Sequence, residues 1–347
     1  MPNAENFSPR LFIPSVETAS QMIRNAYRNA DFDQLSRIQN LLKSQDLVKS
    51  LSGTSDGFHN AAVRLTQDGM YAYAYDLIKI GIMRNPHNTD LLSDALMYGS
   101  RCNAGVEELK GWYDQLMQVN KRFWTWRAYQ FAFDYLMDLL PYKSGEDLKG
   151  IESEIETLIK DFKGHFTFLH DQSDCEKVYM MEYEFYISKG ELESAENALQ
   201  EATESLKNKC AQCAMHYADH LFERGKYREV IGYAKQAVTI KEDQPSISKG
   251  YTYYILAMSQ EWIARTDNTL TQSDTLKDIY TSYFCAYLYM EPGRDHLMEA
   301  IKNQVRVLEY ETKISSEIPF KQMDNAKTNN SMDMLRRILD HEESQSE

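Results

Sequence analysis

Four side chains able to hold a metal or a redox bond fall within eleven residues, Cys210-Ala-Gln-Cys213-Ala-Met-His216-Tyr-Ala-Asp-His220. On an α-helix they share one face. From Cys210 to His220 the helix spans about 15 Å, at about 1.5 Å per residue, whereas tetrahedral zinc needs every ligand within about 2.3 Å of one point. One helix therefore cannot close such a site. Three readings stay open: half a metal site completed by a neighbour, a redox pair of Cys210 and Cys213, or a packing seam against the preceding hairpin, where cysteine behaves as a small hydrophobe. No metal and no cofactor is assigned.

Other chemistry is sparse. The chain has no Gly-Lys-Ser/Thr phosphate loop, no Gly-x-Gly-x-x-Gly, no Gly-x-Ser-x-Gly elbow and no His-Glu-x-x-His, and hence no constellation of a recognised nucleophile, base or metal ligand set. The expectation is a protein without catalytic residues. Asp31-Phe-Asp33 reads as solvated acids beside an amphipathic helix, and Gly53-Thr-Ser-Asp-Gly57 as a flexible loop. Lys121 to Leu140 is apolar nearly all round and reads as a helix buried on more than one side. Trp124 and Trp126 then point to different faces, leaving one available as a protein-binding anchor.

The elements that must carry these residues are helices. The 347 residues include only 15 Gly and 8 Pro, too little turn chemistry for a many-stranded β fold. Hydrophobic content of 43% excludes overall disorder. Acidic residues outnumber basic ones 52 to 38, for a net charge of −14; that field repels nucleic acid and anionic membranes and favours neutral or basic partners. Lys207, Lys209, Lys226 and Arg228 alternate with Glu201, Glu204, Glu223 and Glu229, the pattern of a solvated helical face rather than a basic stripe. The most apolar stretch, Tyr71 to Met83, is interrupted by Asp76 and Lys79 and falls short of a membrane span. Residues Met1 to Pro14 lack the apolar run of a secretory signal, and five scattered cysteines do not form a disulfide framework. A cytoplasmic location is expected.

A helix, a glycine turn and a second helix recur. Gly69-Met-Tyr71-Ala-Tyr-Ala74, Gly190-Glu-Leu192-Glu-Ser-Ala195 and Gly225-Lys-Tyr227-Arg-Glu-Val230 share one pattern, the last two glycines being 35 residues apart. Apolar Tyr179, Tyr183 and Tyr186 precede the turn at Gly190, and Leu192, Ala195, Leu199 and Ala202 follow it, both at helical spacing. Ser173 and Glu176 read as a capping box. Asn103-Ala-Gly105, Pro141 to Asp147, Arg265 to Asn268 and Pro292-Gly293 supply further turn signals, so turns recur roughly every 25 to 47 residues.

These positions resemble tetratricopeptide repeats: Gly190, Leu192, Ala195, Leu199 and Ala202 match the glycine, aromatic, alanine, bulky and alanine positions of that family, and Pro86 follows Ile78 and Gly81 in the first copy. Val230 stands where alanine is usual. The resemblance implies an all-α fold, an α-solenoid of about six or seven antiparallel helix hairpins in a right-handed superhelix over residues 15–318, with an arm at 1–14 and a polar tail at 319–347. Met332, Met334, Leu335, Ile338 and Leu339 give the tail a short amphipathic stripe, read as a terminal cap or as a partner-binding helix. The resemblance further implies a concave groove lined by first helices. Its contact residues would be Lys177, Met180, Glu184, Gln212, Met215, Asp219, Phe222, Tyr251, Tyr254 and Met258. Carboxylates mixed with methionine and aromatic groups suit an apolar protein or peptide of basic character. Self-association through terminal hairpins is open. The lysine and asparagine clamp of chaperone-binding members is unmatched, since His59 and Val63 occupy those positions. The expected function is a scaffold or adaptor; a peptide-responsive regulator of the same build, or a metal- or redox-responsive protein using the Cys210 face, are the alternatives.

Overall fold

A computed structural model describes residues 15–43, 51–166, 175–206, 210–239, 248–291, 293–316, 318, 320 and 324. The chain divides into two compact units, Met1–Leu169 and His170–Glu347, where the sequence reads one repeat region over 15–318. The described residues are almost wholly helical, with one isolated bridge between Ser15 and Ser52 in place of any sheet. No described helix is long and apolar enough to cross a membrane. The expected arm, Ser173 of the capping box, and the tail residues Met332 to Leu339 lie outside the described residues.

In the first unit the helices are α1 (Val16–Arg28), α2 (Phe32–Leu42), α3 (Ser55–Gln67), α4 (Tyr71–Arg84), α5 (Thr89–Arg101), α6 (Val106–Met117), α7 (Trp126–Leu139) and α8 (Gly145–Phe166). In the second they are α9 (Cys175–Lys189), α10 (Leu192–Leu206), α11 (Ala211–Glu223), α12 (Tyr227–Thr239), α13 (Lys249–Thr266), α14 (Ser273–Tyr289) and α15 (Asp295–Thr312). Within each unit every helix pairs with at least one sequence neighbour, and first helices also pack in series: α1 on α3, α3 on α5 and α5 on α7 in one unit, α9 on α11 and α11 on α13 in the other.

One backbone device makes six of the hairpins. Ala30, Gly69, Asn103, Gly190, Gly225 and Asn268 all have positive φ, between 53° and 75°. The next residue's N–H, on Asp31, Met70, Ala104, Glu191, Lys226 and Thr269, bonds back to the carbonyl of Ala26, Leu65, Gly99, Tyr186, Leu221 and Ala264 at 2.8 to 3.0 Å. This is the Schellman termination, which satisfies carbonyls that a helix end leaves orphaned. Glycine and asparagine tolerate the left-handed conformation, while Ala30 carries a β-carbon into it.

Side-chain caps set several helix starts. Asp31 accepts from Gln34 N at 2.9 Å, giving one of the supposed surface acids a capping role. Thr54 accepts from Gly57 N at 3.1 Å, so the segment read as a flexible loop is the ordered start of α3. The aromatic run is also divided: Lys121–Phe123 form a 3₁₀ turn, Thr125 is extended, and α7 begins only at Trp126. Trp124 is buried with its Nε1 donating to Val119 O at 3.3 Å, Trp126 is half-buried, and Phe123 is the ring left in solvent. Behind them Tyr129 stacks on Phe162 at 4.3 Å, tying α7 to α8.

Candidate functional site

The α11 face holds the cysteine and histidine cluster. Cys210 and Cys213 are fully buried thiols, packed with Met180, Leu199, Ala202, Tyr217 and Ala218. Burial pushes the Cys210 thiol up to about 12 and the Cys213 thiol well above its ordinary value, which opposes the thiolate needed for metal binding or exchange. Among the described residues no three His, Cys, Asp or Glu side chains gather as a metal group. The packing-seam reading describes these thiols. Glu176, buried on α9, accepts from Cys213 N at 2.8 Å and so caps the start of α11 across the interface. Burial raises its carboxyl pKa.

His216 and His220 separate from the thiols. His220 lies 3.6 Å from Glu196 Oε2, and Glu196 also pairs with Arg224 and Lys226 around the Gly225 turn. His216 instead turns toward Tyr183, ring centres 5.7 Å apart, and burial lowers its pKa so that the imidazole is neutral near pH 7. It opens onto a pocket of about 440 Å³.

This pocket is assembled from three elements of the second unit. Met215, His216 and Asp219 come from α11, and Ser248 and Tyr251 from the first turn of α13. Arg294, His296 and Leu297 supply the rest from the start of α15. Their convergence has a local cause at Gly250. A β-carbon there would sit 2.4 Å from Met290 Cα and 2.5 Å from its nitrogen, so only glycine lets the start of α13 lie against the end of α14. The chain leaving Met290 therefore passes beside Ser248 and Tyr251. Deeper in the unit, Glu261 on α13 accepts from Tyr283 Oη at 2.8 Å and from Gln304 Nε2 at 2.6 Å, fixing α14 and α15 against α13.

Inside the pocket, Tyr251 Oη donates to Asp219 at 2.7 Å. Burial and this carboxylate raise the Tyr251 phenol far above its ordinary pKa, so it remains a donor. The Arg294 guanidinium lies over the Tyr251 ring, 5.6 Å from its centre. Asp219 and Glu223 both act on Tyr251, and they act with Glu184 on Tyr183, which marks the neighbouring surface as acidic.

The ten expected contact residues divide. Met215, Asp219 and Tyr251 line the pocket. Met180 is buried among core residues, Met258 Sδ lies 3.1 Å from Tyr283 Oη, and Tyr254 packs against the same core. Phe222 meets Tyr227 edge to face at 5.4 Å, Lys177 and Gln212 are half-buried, and Glu184 is exposed. Ser248, Arg294, His296 and Leu297 were not anticipated. Their only sequence signal is the Pro292-Gly293 turn placed just before an arginine and a histidine.

The first unit holds a different arrangement at the same level of its first helices. His59, Asp94 and Arg127 come from α3, α5 and α7 at separations of 35 and 33 residues. Asp94 is fully buried, His59 Nδ1 lies 2.6 Å from its Oδ2, and Arg127 Nη2 pairs with its Oδ1. Arg127 Nη1 is 3.2 Å from His59 Nε2. Guanidinium only donates, so in neutral His59 Nε2 accepts and the Nδ1 proton goes to Asp94. The hydrogen bond to Asp94 raises the His59 pKa, while burial raises that of Asp94. Compared with known proteins, the chain matches no family model and no curated protein.

Proposed function

We propose that this protein is a non-catalytic scaffold or adaptor whose hairpins form a tetratricopeptide-like solenoid, and that it binds a protein or peptide through the first-helix face of residues 170–347. The pocket bounded by α11, α13 and the start of α15 carries this reading. At about 440 Å³ it lies in the size range of specific ligand sites. Its walls combine Met215, Tyr251 and Leu297 with the charged groups Asp219 and Arg294, a mixture suited to gripping an apolar side chain while fixing its orientation. The carboxylates of Glu184, Asp219 and Glu223 beside it favour a partner carrying basic residues. A cytoplasmic setting agrees with the buried thiols.

The test is affinity capture with the full chain and with a His296→Glu/Leu297→Glu variant, after matching their helicity. His296 is exposed and Leu297 half-buried against the core of α13, α14 and α15, so thermal stability is matched along with helicity, and His296→Glu alone serves as the variant that leaves the core untouched. A polypeptide held by the parent chain and lost from the variant, then bound directly after purification, supports the reading. Equal retention by both removes the pocket as the working surface.

A further inference from the structure

The pocket's polar groups are unevenly engaged. Asp219 already receives the Tyr251 proton at 2.7 Å. Ser248 Oγ, by contrast, is buried without a hydrogen-bond partner among the described residues, and it caps the start of α13 without accepting from any of that helix's N–H groups. Arg294 Nε forms an ion pair with Glu291 Oε2 at 3.6 Å, longer than a hydrogen bond. Glu291 Oε2 is itself buried and without a hydrogen bond. Arg294 occupies the cap position of α15. The pocket thus presents a guanidinium held by one long ion pair and a ring contact, and a hydroxyl without a hydrogen bond among the described residues, at the positive ends of two 18-residue helices.

From these groups we infer that the pocket takes a carboxylate carried next to an apolar group, the carboxylate on Arg294 and Ser248 and the apolar group between Met215 and Leu297. This rests on the peptide-binding reading and specifies its chemistry. Guanidinium pairs with carboxylate through two parallel bonds, and the Tyr251 ring lies beneath the Arg294 guanidinium. The carboxylate can belong to the end of a polypeptide or to a small free acid. A basic group elsewhere in the same ligand would meet the acids around Tyr183 and Tyr251.

Calorimetric titration of the full chain distinguishes these cases. The probes are N-acetyl-L-leucine and N-acetyl-L-leucinamide, together with the peptide Lys-Lys-Ala-Leu as free acid and as amide. Each acid is expected to bind about tenfold or more tightly than its amide, the scale of a charge-assisted hydrogen bond. A peptide acid stronger than N-acetyl-leucine identifies a chain terminus as the source; equal affinities identify a small acid. Arg294→Met should remove the preference for acid over amide, Arg294→Lys should restore part of it, and Arg306→Met, on the exposed face of α15, should leave it unchanged. Acids and amides binding alike, no saturable binding of either acid, or full acid preference in a helical Arg294→Met variant would each overturn the inference. If the acids fail while capture still depends on His296 and Leu297, the carboxylate chemistry falls and polypeptide binding stands.

Discussion

Ten residues before the left-handed turn residue, the first unit carries Ser20, His59 and Ser93, whereas the second carries Met180, Met215 and Met258. The turns that set this register are the same in both. In the first unit polar side chains at this level are consumed internally: Ser20 Oγ donates to Ala61 O at 3.5 Å, Ser93 Oγ to Thr89 O at 2.5 Å, and His59 joins Asp94 and Arg127. In the second, methionines fill the level with adaptable apolar surface, and the polar groups at its edge, Ser248 and Arg294, are less fully engaged. One hairpin geometry thus supports a face closed by its own charges and a face with room for a ligand.

The largest test of that contrast is Arg127→Met. It leaves the buried Asp94 carboxylate with the His59 hydrogen bond alone, and removing one partner of a buried pair costs about 3 kcal/mol. Chemical denaturation should show this loss, with the acid-probe affinity of the second unit unchanged. A cost near zero would mean that the triad is not what closes the first unit.

Gly250→Ala sharpens the other side. Its β-carbon would strike the Met290 backbone, an overpacking worth about 2 kcal/mol. Because the strain falls where α13 meets the chain leading to Arg294, probe binding should weaken beyond what the stability loss explains.

A smaller effect concerns pH. The pKa of His59 lies above its ordinary 6.5 and that of Asp94 above 3.8, so both groups bind protons more tightly folded than unfolded. The His59 contribution is complete below pH about 6.5 and is lost as pH rises through the folded value. Unfolding free energy measured from pH 6 to 8 should decline for the parent and flatten for His59→Gln; identical slopes would contradict the assignment.

The smallest effect sits in the shared turns. Ala30→Gly should stabilise by about 1 kcal/mol, and Gly190→Ala should destabilise by a similar amount. Thermal unfolding of the two single variants reads both.

What was legible in the sequence follows from the range of each interaction. The turns at Gly69, Asn103, Gly190, Gly225 and Asn268 are local, and glycine or asparagine announces them. Ala30 makes the same turn without such a residue, so the first hairpin gave no signal. The tetratricopeptide resemblance named Met215, Asp219 and Tyr251 as first-helix contact residues, but their neighbours Arg294 and His296 arrive only because Gly250 and Met290, forty residues apart, touch. Met180, with an equivalent spacing, is covered by Cys210 and Leu199, a contact that its own helix does not encode. The His59 and Asp94 pairing likewise joins separate hairpins, although its repeat-length separation was available to be noticed.

The most direct measurement places a photo-crosslinking amino acid at position 296 or at Val63 in the full chain and compares what each captures. The expected result is a polypeptide adduct from position 296 with little from position 63, suppressed by an excess of the N-acetyl-leucine probe. An adduct formed mainly from position 63, or equally from both, would contradict the assignment of binding to the second unit.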